Sequence, residues 1–282
     1  MATQEDFLEH RELLFSVVYN MLGSVSDTED VLQETWLAWA PREGVENPRA
    51  YLVRVAVNAA LARQAAIRRR RETYLGPWLP EPLVTEEPDH VESVSMAMMV
   101  VLETLTPLER AVFVLHEVFA YTHVEIATIL DRTPAAVRQV AHRARGHVQA
   151  RRPRSRTTSE AGRRVTERFL QAAVGGDLDE LMQLLAPDVT MWIDGGGTSK
   201  VSVMNPVHGR DKVARLITGI SSRRPANLDV RARVVNGDPS AVLFGDHGPF
   251  AVMVVDLTPD GKQVAGVYTV TNPDKLSHIG RP

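Results

Sequence analysis

The sequence predicts a multidomain protein with two all-α domains, the second containing a helix-turn-helix, followed by an α+β C-terminal domain. Apolar residues recur at the helical period of about 3.6 residues through most of the first half of the chain. Four prolines and one glycine within residues 74–88 interrupt that period and predict a stiff linker between two helical domains. Beyond Glu160, short β-type runs separated by turn residues predict a sheet.

The composition is that of a folded protein with two or three domains. The 282 residues are 44% hydrophobic and 24% charged, which is ordinary for a globular chain. The absence of cysteine excludes disulfides and thiolate metal sites and is consistent with a cytoplasmic location. No apolar run approaches the ~18 residues that span a bilayer, and the acidic N-terminus is unlike a signal peptide. We expect the domains at residues 1–74, 96–153 and 160–282, with the linker at 75–95.

Three helices are predicted before the linker. The first covers residues 5–19, and the second, residues 28–39, can be capped by Ser26 or Asp27. The third begins at Asn47-Pro48 and runs to about Arg71, because asparagine caps helices and proline suits their first turn. Each helix carries one apolar stripe, so the three are expected to pack together.

Helices are predicted to resume at about Val91, to reach Leu105, and to continue to about Gln149. Within this stretch, residues 124–130 and the helix that follows Thr133-Pro134 form a helix-turn-helix. Asp131 lies at the turn between them, where the left-handed conformation is tolerated by aspartate better than by most residues.

The charge distribution singles out the second helix of this motif. From Arg132 to Arg156 there are eight arginines and no acidic residue, whereas residues 73–131 hold ten acidic residues and one basic residue. The apolar stripe of the helix leaves its polar side chains outward, namely Arg138, Gln139, His142, Arg143 and Arg145. Arginine can pair with guanine and glutamine with adenine in the major groove, so this face predicts DNA binding although the net charge of the chain is −3.

The C-terminal domain is predicted to combine helices with a sheet. The expected helices cover residues 161–174, 178–185 and 212–221. The expected strands cover residues 189–193, 201–204, 230–235, 241–244, 250–257 and 264–271. Turn signals at residues 236–239 and 259–261 each separate two consecutive strands of this set.

The helical half of the chain resembles the bacterial sigma factors of the extracytoplasmic-function (ECF) group. Residues 105–110 (LTPLER), 125–127 (EIA) and 137–145 (VRQVAHRAR) are similar to sigma domain 4, and residues 27–36 (DTEDVLQETW) are similar to sigma domain 2. The resemblance implies a subunit of RNA polymerase that directs transcription initiation at particular promoters. It therefore implies two partners, core RNA polymerase and promoter DNA.

The resemblance also implies a role for particular residues. On domain 4, the outward face defined above would bind the −35 element, while the domain itself would contact the β flap of the polymerase. On domain 2, the residues implied to bind the β′ clamp helices are Asp30, Gln33 and Glu34. The residues implied to bind the −10 element are Arg54, Asn58 and Arg63.

Three further motifs resemble the ECF subgroup that carries a fused SnoaL-like (NTF2-like) C-terminal domain. They are WLPEP at residues 78–82, DGGG at 194–197 and NPDKL at 272–276. The resemblance implies that the fused domain regulates the sigma domains and that no separate anti-sigma factor is required. We hypothesise that the two C-terminal motifs clasp the linker motif and the domain 2 side. The residues implied in these contacts are Trp78, Leu79, Pro80, Glu81, Pro82, Asp194, Gly195, Gly196, Gly197, Asn272, Pro273, Asp274, Lys275 and Leu276.

Two other functions fit parts of the sequence. A one-component regulator that senses a small ligand in the C-terminal pocket would explain the helix-turn-helix but not residues 5–72. A SnoaL-like isomerase or cyclase would need an acid or base in that pocket, where Asp194 and His208 are available beside Trp192. We expect no enzymatic activity and no cofactor. We also expect no metal site, because the histidines are scattered along the sequence instead of being spaced as metal ligands.

Overall fold

A computed structural model of the chain describes residues 4–85, 94–150, 160–197, 199, 203–223 and 227–280. The chain divides into two compact units, of which the first holds residues 1–73, 89–94 and 98–152 and the second holds residues 74–88, 95–97 and 153–282. Both predicted helical domains therefore lie in the first unit, while most of the predicted linker belongs to the same unit as the C-terminal domain. None of the helices in the described ranges combines the length and the apolar character that crossing a bilayer demands.

The first three helices are α1 (Gln4–Leu22), α2 (Val25–Trp39) and α3 (Pro48–Glu72). Asn47 caps α3 as predicted, since its side chain accepts a hydrogen bond from the backbone N of Ala50 at 2.9 Å. The predicted cap of α2 was wrong. Ser24 caps this helix by accepting from the backbone N of Asp27 at 3.1 Å, so Ser26 and Asp27 lie inside the helix. The carboxylate of Asp27 is not available as a cap because arginines of α3 bind it.

The next helices are α4 (Met96–Leu102), α5 (Pro107–Phe113), a π-helix (Val114–Val118), α6 (His123–Leu130) and α7 (Pro134–Gln149). The helix predicted from Val91 to Leu105 is shorter than expected, because Val94 and Ser95 are not helical and α4 ends at Leu102. Residues 91–93 lie outside the described residues.

Reciprocal caps delimit α5 and α6. Thr106 and Thr122 each accept from the backbone N of the glutamate three residues later, and Glu109 and Glu125 each bind back to the cap residue. Asp131 ends α6 in the left-handed conformation, with φ of 50°, as the sequence predicted.

A buried ionic cluster joins the two sets of helices within the first unit. Nε of Arg110, on α5, donates to the carbonyl of Asn20 on α1 at 2.9 Å, and its Nη1 donates to Glu103 at 2.6 Å. Glu103 also pairs with Arg71 of α3. Burial lowers the pKa of Arg110 to about 9, so its guanidinium stays charged at neutral pH. The cluster therefore bonds the end of α4 and the start of α5 to α1 and α3.

The second unit contains a seven-stranded sheet. Its strands are β1 (Val84–Thr85), β2 (Leu185–Asp194), β3 (Val207–His208), β4 (Asp229–Val235), β5 (Asp238–Gly245), β6 (Gly248–Leu257) and β7 (Val264–Val270), in the order β1-β4-β5-β6-β7-β2-β3. Its helices are α8 (Glu160–Gly175), α9 (Leu178–Leu184), α10 (Arg210–Ser221) and α11 (Pro273–Leu276). The pairs are antiparallel except β2 with β7, which run parallel.

The sheet differs from the prediction in several places. Strand β3, at Val207–His208, was not predicted, and β2 begins at Leu185 instead of Val189. The strand expected at residues 201–204 is not formed at Val203 or Met204, and residues 201–202 lie outside the described residues. Strand β1, which the sequence analysis missed, belongs to the linker and pairs with the end of β4. Two residues are too short a run to show any alternation, so no local pattern could have predicted this strand.

Candidate functional site

The helix-turn-helix is built as its sequence predicts. The side chain of Thr133 caps α7 by accepting from the backbone N of Ala136 at 3.2 Å. The buried stripe of α7 consists of Val137, Val140, Ala141, Ala144 and Val148. The opposite face exposes Arg138, Gln139, His142 and Arg143. An exposed row of two arginines, one glutamine and one histidine offers donors for both base edges and phosphates.

Arg145 departs from the predicted outward position. Its Nε donates to Glu117 of the π-helix at 2.6 Å, and its side chain is 42% exposed. Arg145 would have to leave this ion pair before it could contact DNA. Of the basic tail that follows α7, residues 151–156 lie outside the described residues.

The acidic face of α2 is paired with an arginine of α3. Nε of Arg63 donates to Asp27 at 2.8 Å, its Nη1 donates to Glu34 at 3.2 Å, and its Nη2 binds Asp30. Arg70 donates to the other oxygen of Asp27 at 2.6 Å. Burial raises the pKa of Asp27, but the hydrogen bonds from the two arginines outweigh it and lower the pKa below its usual value. Two residue sets that the resemblance assigned to different partners are therefore bonded to each other here.

The other residues assigned to polymerase and to the −10 element lie on the same two helices. Gln33 is exposed on α2, and Arg54 is exposed on α3. Nδ2 of Asn58 donates to the carbonyl of Arg54 at 2.8 Å and to the carbonyl of Ile129, in α6, at 3.1 Å. The amide of Asn58 thus contacts the helix-turn-helix within the first unit.

In the second unit, the three subgroup motifs come together around Asp194. Its carboxylate accepts from the backbone N of Leu79 at 2.8 Å, from the Tyr74 hydroxyl, and from Nζ of Lys275 at 2.7 Å. The side chains of Asp194 and Lys275 are 0% and 4% exposed, so the charges are buried as a pair. We call this set, with Trp78 and Asn272, the clasp.

Lys275 makes several contacts within the clasp. Its Nζ donates to the carbonyl of Leu79 at 2.5 Å as well as to Asp194, and it lies 3.5 Å from the centre of the Trp78 ring and 4.9 Å from that of Tyr74. A desolvated ammonium over aromatic rings is favourable, and the strength grows with burial. The linker backbone at Leu79 is therefore bound on both its N–H and its C=O.

Asn272 connects the last motif to the other two. Its Nδ2 donates to the Tyr74 hydroxyl at 2.8 Å, and its Oδ1 accepts from the backbone N of Asp274 at 3.1 Å, which caps α11. Its backbone N donates to the carbonyl of Asp194 at 3.0 Å. Burial, followed by the bond to Asp194, raises the pKa of Tyr74, which keeps the hydroxyl protonated as a donor.

Two glycines of the DGGG motif lie so close to neighbouring side chains that neither position has room for a Cβ. Gly196 and Gly197 have φ of 62° and 75°, a region that favours glycine. A Cβ on Gly196 would lie 2.6 Å from the side chain of Asn272, and a Cβ on Gly197 would lie 2.8 Å from that of Leu75. The DGGG loop can pack against the linker and the last motif because these positions carry no side chain.

The linker stays bound to the same unit beyond the WLPEP motif. Pro80 and Pro82 are buried, Glu81 is partly buried, and Nε2 of His278 donates to the carbonyl of Pro82 at 2.9 Å. Leu83 and Asn236 exchange two hydrogen bonds next to the pairing of β1 with β4. The remaining motif residues lie next to these contacts. Gly195 directly follows β2, and Pro273, Asp274 and Leu276 lie in α11.

The sequence analysis missed three residues of this arrangement, Tyr74, Asn236 and His278. Asn236 was assigned only to a turn, which it does form with φ of 53°. Tyr74 lies four residues before the WLPEP motif, and the sequence analysis gave it no role. A tyrosine at the end of a charged helix and beside a proline-rich motif was the one local signal that could have suggested it.

The arrangement leaves Asp194 poorly suited to catalysis. All the described partners of its carboxylate are donors from the chain itself, one of them a cation. His208, the other candidate, is exposed in β3 and hydrogen-bonded to Thr190 at 3.0 Å, while Trp192 stacks on Tyr268. Among the described residues, no three His, Asp or Glu side chains are grouped so as to hold a metal ion.

Comparisons with known proteins agree with this arrangement of motifs. Residues 7–73 match the family model of Sigma-70 region 2, residues 95–148 that of Sigma-70 region 4, and residues 166–276 that of the SnoaL-like domain. The chain is 37% identical over 289 residues to the ECF RNA polymerase sigma factor SigJ of Mycobacterium tuberculosis, covering 96% of this chain and 92% of that protein. The chain belongs to the ECF RNA polymerase sigma factor family.

Other members of the ECF sigma factor family are also similar over nearly the whole chain. The probable ECF RNA polymerase sigma factor SigI of Mycobacterium tuberculosis is 29% identical, covering 96% of this chain and 93% of that protein. The crystal structure of Mycobacterium tuberculosis SigJ superposes with a TM-score of 0.79 at 34% identity, covering 98% of both chains. The predicted fold class, two helical sigma domains followed by a SnoaL-like α+β domain, is thereby confirmed. Membership in this ECF sigma factor family supports a function in promoter-specific transcription initiation.

Proposed function

We propose that this chain is a cytoplasmic sigma subunit that binds core RNA polymerase, directs initiation at particular promoters, and is controlled by its own C-terminal domain. The observation that carries the regulatory part is the clasp, in which the buried pair of Asp194 and Lys275 binds the linker backbone at Leu79. The clasp requires no second protein, which supports control without a separate anti-sigma factor.

Promoter binding would use both helical domains. The exposed face of α7, with Arg138, Gln139, His142 and Arg143, has the donors and acceptors that the −35 element would need. Arg54 and Asn58 on α3 would contact the −10 element. Because Asn58 is bonded to Ile129 of the helix-turn-helix, the two domains would separate before α3 reaches DNA. This requirement supports a resting state in which the sigma domains hold each other.

Polymerase binding would begin with an exchange of ion pairs on α2. Asp30 and Glu34 would accept from arginines of the β′ clamp helices, with Gln33 beside them, but both carboxylates are bound by Arg63 in the free chain. Polymerase would therefore displace Arg63, and the released guanidinium would become available to promoter DNA. This exchange supports a mechanism in which the chain recognises a promoter well only after it has bound polymerase.

The clasp would act on the linker between the two sigma domains. An extended chain spans at most ~3.3–3.6 Å per residue. While the clasp is closed, residues 75–85 lie against the C-terminal domain and contribute none of this reach. Release of the clasp would add the reach of these residues, roughly 35–40 Å, to the connection between the sigma domains. We infer that the closed clasp limits the separation of domains 2 and 4 that promoter binding requires.

A reconstituted transcription assay tests this proposal. Core RNA polymerase is combined with a promoter library and with the wild-type chain, with the double variant Asp194→Asn and Lys275→Met, or with the control Lys262→Met, whose lysine is exposed in a turn. The double variant removes both buried charges together and so leaves neither one unpaired. We expect more transcript from the double variant than from the wild type and the control.

Each part of the proposal can fail separately. No transcript from any chain, together with no co-purification with core polymerase, would contradict the sigma function itself. Equal transcript from wild type and double variant, both polymerase-bound, would contradict regulation by the clasp and leave the sigma function standing. A chain truncated near residue 158 extends the comparison by removing the whole C-terminal domain.

A further inference from the structure

A cavity of about 220 Å³ lies within the first unit, where helices of domain 2 meet those of domain 4. One wall consists of the last residues of α1 and the C-terminal half of α3, and the other consists of residues 103–107 and Arg110. The described lining includes neither the exposed face of α7 nor the acidic face of α2. The cavity is therefore distinct from the surfaces to which DNA and polymerase were assigned above.

Positive charge is in excess on the walls of this cavity. The ionisable residues of its described lining are Arg68, Arg71, Arg110 and Glu103, so three positive charges face one negative charge. The single carboxylate of Glu103 is shared by Arg71 and Arg110. The side chains of these two arginines are 21% and 5% exposed, so water screens their charges only weakly.

The pKa values of the two buried arginines reflect this excess. Burial, and after it the charges of Arg110 and Arg70, lower the pKa of Arg71 to about 9, while the charge of Asp27 acts in the opposite direction. Burial also lowers the pKa of Arg110 to about 9. Both guanidiniums stay charged at neutral pH, and a buried charge is costly unless an opposite charge or hydrogen bonds stabilise it. An anion in the cavity would therefore stabilise this cluster, whereas water would supply no countercharge.

Part of this charge stabilises the end of α1. Arg110 donates to the carbonyl of Asn20 at 2.9 Å and Arg71 donates to that of Leu22 at 3.3 Å, and cations are favourable at a helix C-terminus. These contacts explain why both arginines are buried here. They do not explain Arg68, which lines the cavity, is exposed, and has no hydrogen-bond partner among the described residues.

The arginines also retain donors for a ligand. A guanidinium carries five N–H groups. Arg110 has three described acceptors, and one of them is the thioether of Met99 at 3.9 Å. Arg68 and Arg71 are three residues apart on α3, so their side chains lie on the same face of the helix. Guanidiniums are thus available on both walls of the cavity.

We propose that this cavity binds a small phosphate-bearing anion, whose oxygens accept hydrogen bonds from Arg68, Arg71 and Arg110. The planar fork of arginine matches phosphate oxygens in a bidentate geometry. A tetrahedral phosphate also presents oxygens in several directions, which suits donors that come from two opposite walls. A cavity of about 150 Å³ is known to hold benzene, so one of about 220 Å³ has room for a phosphate group and a short esterified alcohol.

A ligand in this position would connect the two helical domains. Arg68 and Arg71 belong to domain 2, whereas Arg110 belongs to domain 4, so the bound anion contacts both. Anything that binds only the associated form stabilises that form by mass action. This consequence rests on the proposed function, in which the domains separate before promoter binding. The binding itself is measured without transcription, so it can fail independently of that function.

Binding is tested on the full chain by isothermal titration calorimetry at constant ionic strength, because exposed charges are screened by salt. The probes are inorganic phosphate, glycerol 1-phosphate and, as the uncharged control, glycerol. We expect saturable binding of both phosphates and none of glycerol. Tighter binding of inorganic phosphate would assign the site to the free ion, and tighter binding of glycerol 1-phosphate would assign it to a phosphate ester.

Two matched variants test the role of Arg68. Arg68→Gln should weaken both phosphates about two- to fivefold, the range of one exposed ion pair. Arg69→Gln makes the same change of charge at the next residue of α3, which is exposed and does not line the cavity, and it should leave both affinities unchanged. Melting curves establish that each variant is folded.

A third variant should change the affinity in the opposite direction. Glu103→Gln removes the carboxylate with which the anion competes, so both phosphates should bind about tenfold more tightly, the factor expected for a close charge pair. If Glu103→Gln is unfolded, phosphate should restore its folding. The proposal is overturned by an absence of saturable phosphate binding, by equal affinities of Arg68→Gln and Arg69→Gln, by weaker binding to folded Glu103→Gln, or by stabilisation with duplex DNA but with neither phosphate.

Discussion

Nζ of Lys275 lies 2.7 Å from Oδ2 of Asp194, and the two side chains are 4% and 0% exposed. The residues are separated by 81 positions, and the backbone of Leu79, from a third part of the chain, binds both of them. Burial of a charge pair is costly unless the remaining donors and acceptors are also satisfied. Here the backbone of Leu79 satisfies them. The linker therefore stabilises the ion pair, and the ion pair binds the linker to the C-terminal domain.

The first prediction concerns the stability of this pair. Lys275→Met alone should destabilise the chain by about 3–5 kcal/mol, because it leaves a buried carboxylate without its cation. The double variant with Asp194→Asn should lose clearly less. Chemical unfolding followed by far-UV circular dichroism measures both, with Lys262→Met as the control. A double variant less stable than the single one would contradict the pairing.

The second prediction concerns the DGGG loop. Gly196→Ala should destabilise the clasp because it combines a positive φ with a Cβ that would overlap Asn272. Gly219→Ala is the matched control, since Gly219 lies inside α10 with open space beside it. That change should stabilise the chain by about 0.5–1 kcal/mol. Limited proteolysis of the linker measures the clasp, and equal protection in the two variants would count against a role for Gly196.

The third prediction concerns pH. The pKa of Asp27 is lowered in the folded chain, chiefly by hydrogen bonds from Arg63 and Arg70 that outweigh its burial. A lowered carboxyl pKa contributes stability above the unfolded value of 3.8, and this contribution is lost as the pH falls through the folded pKa. Urea unfolding measured from pH 6 down to pH 2 should show this loss. Asp27→Asn should flatten the profile below about pH 4, whereas Asp246→Asn, at an exposed turn, should not.

The fourth prediction concerns Arg63 as a competitor for the polymerase surface. Arg63→Gln should free Asp30 and Glu34 and raise the affinity for core polymerase about two- to fivefold, since exposed ion pairs contribute about 0.2–1 kcal/mol each. Arg54→Gln, on the exposed side of the same helix, should leave that affinity unchanged. Fluorescence anisotropy with labelled chain measures both. A lower affinity for Arg63→Gln, with its folding intact, would mean that Arg63 supports the polymerase surface instead of masking it.

The fifth prediction separates base contacts from phosphate contacts on α7. Gln139→Ala should relax the preference at one base pair of the −35 element by about 1–3 kcal/mol. A variant at an arginine that contacts phosphate should weaken binding to all sequences alike and reduce the salt slope by about one. Arg143 and Arg138 can be assigned to one class or the other by this comparison, with holoenzyme bound to promoter variants at several salt concentrations. If Gln139→Ala leaves the base preference unchanged, Gln139 does not contact a base of the −35 element.

The sequence by itself determined the local structure. Helix starts at Asn47 and Thr133 follow from capping chemistry that involves residues three positions apart. The buried stripe and basic face of α7 follow from the helical period, and the left-handed turn at Asp131 follows from the tolerance of aspartate for that conformation. These features depend on neighbours along the chain, so a single sequence contains all the information needed to predict them.

Only the tertiary structure decided which charges meet. Arg63 was assigned to DNA on its helix, yet it binds acids of α2, and Arg145 was assigned to an outward face, yet it binds Glu117. The clasp joins Leu79, Asp194 and Lys275, and β1 forms only because β4 offers an edge to pair with. The free energy of such contacts comes from the burial of charge and the pairing of backbone groups, and neither exists until distant segments have been brought together by the fold.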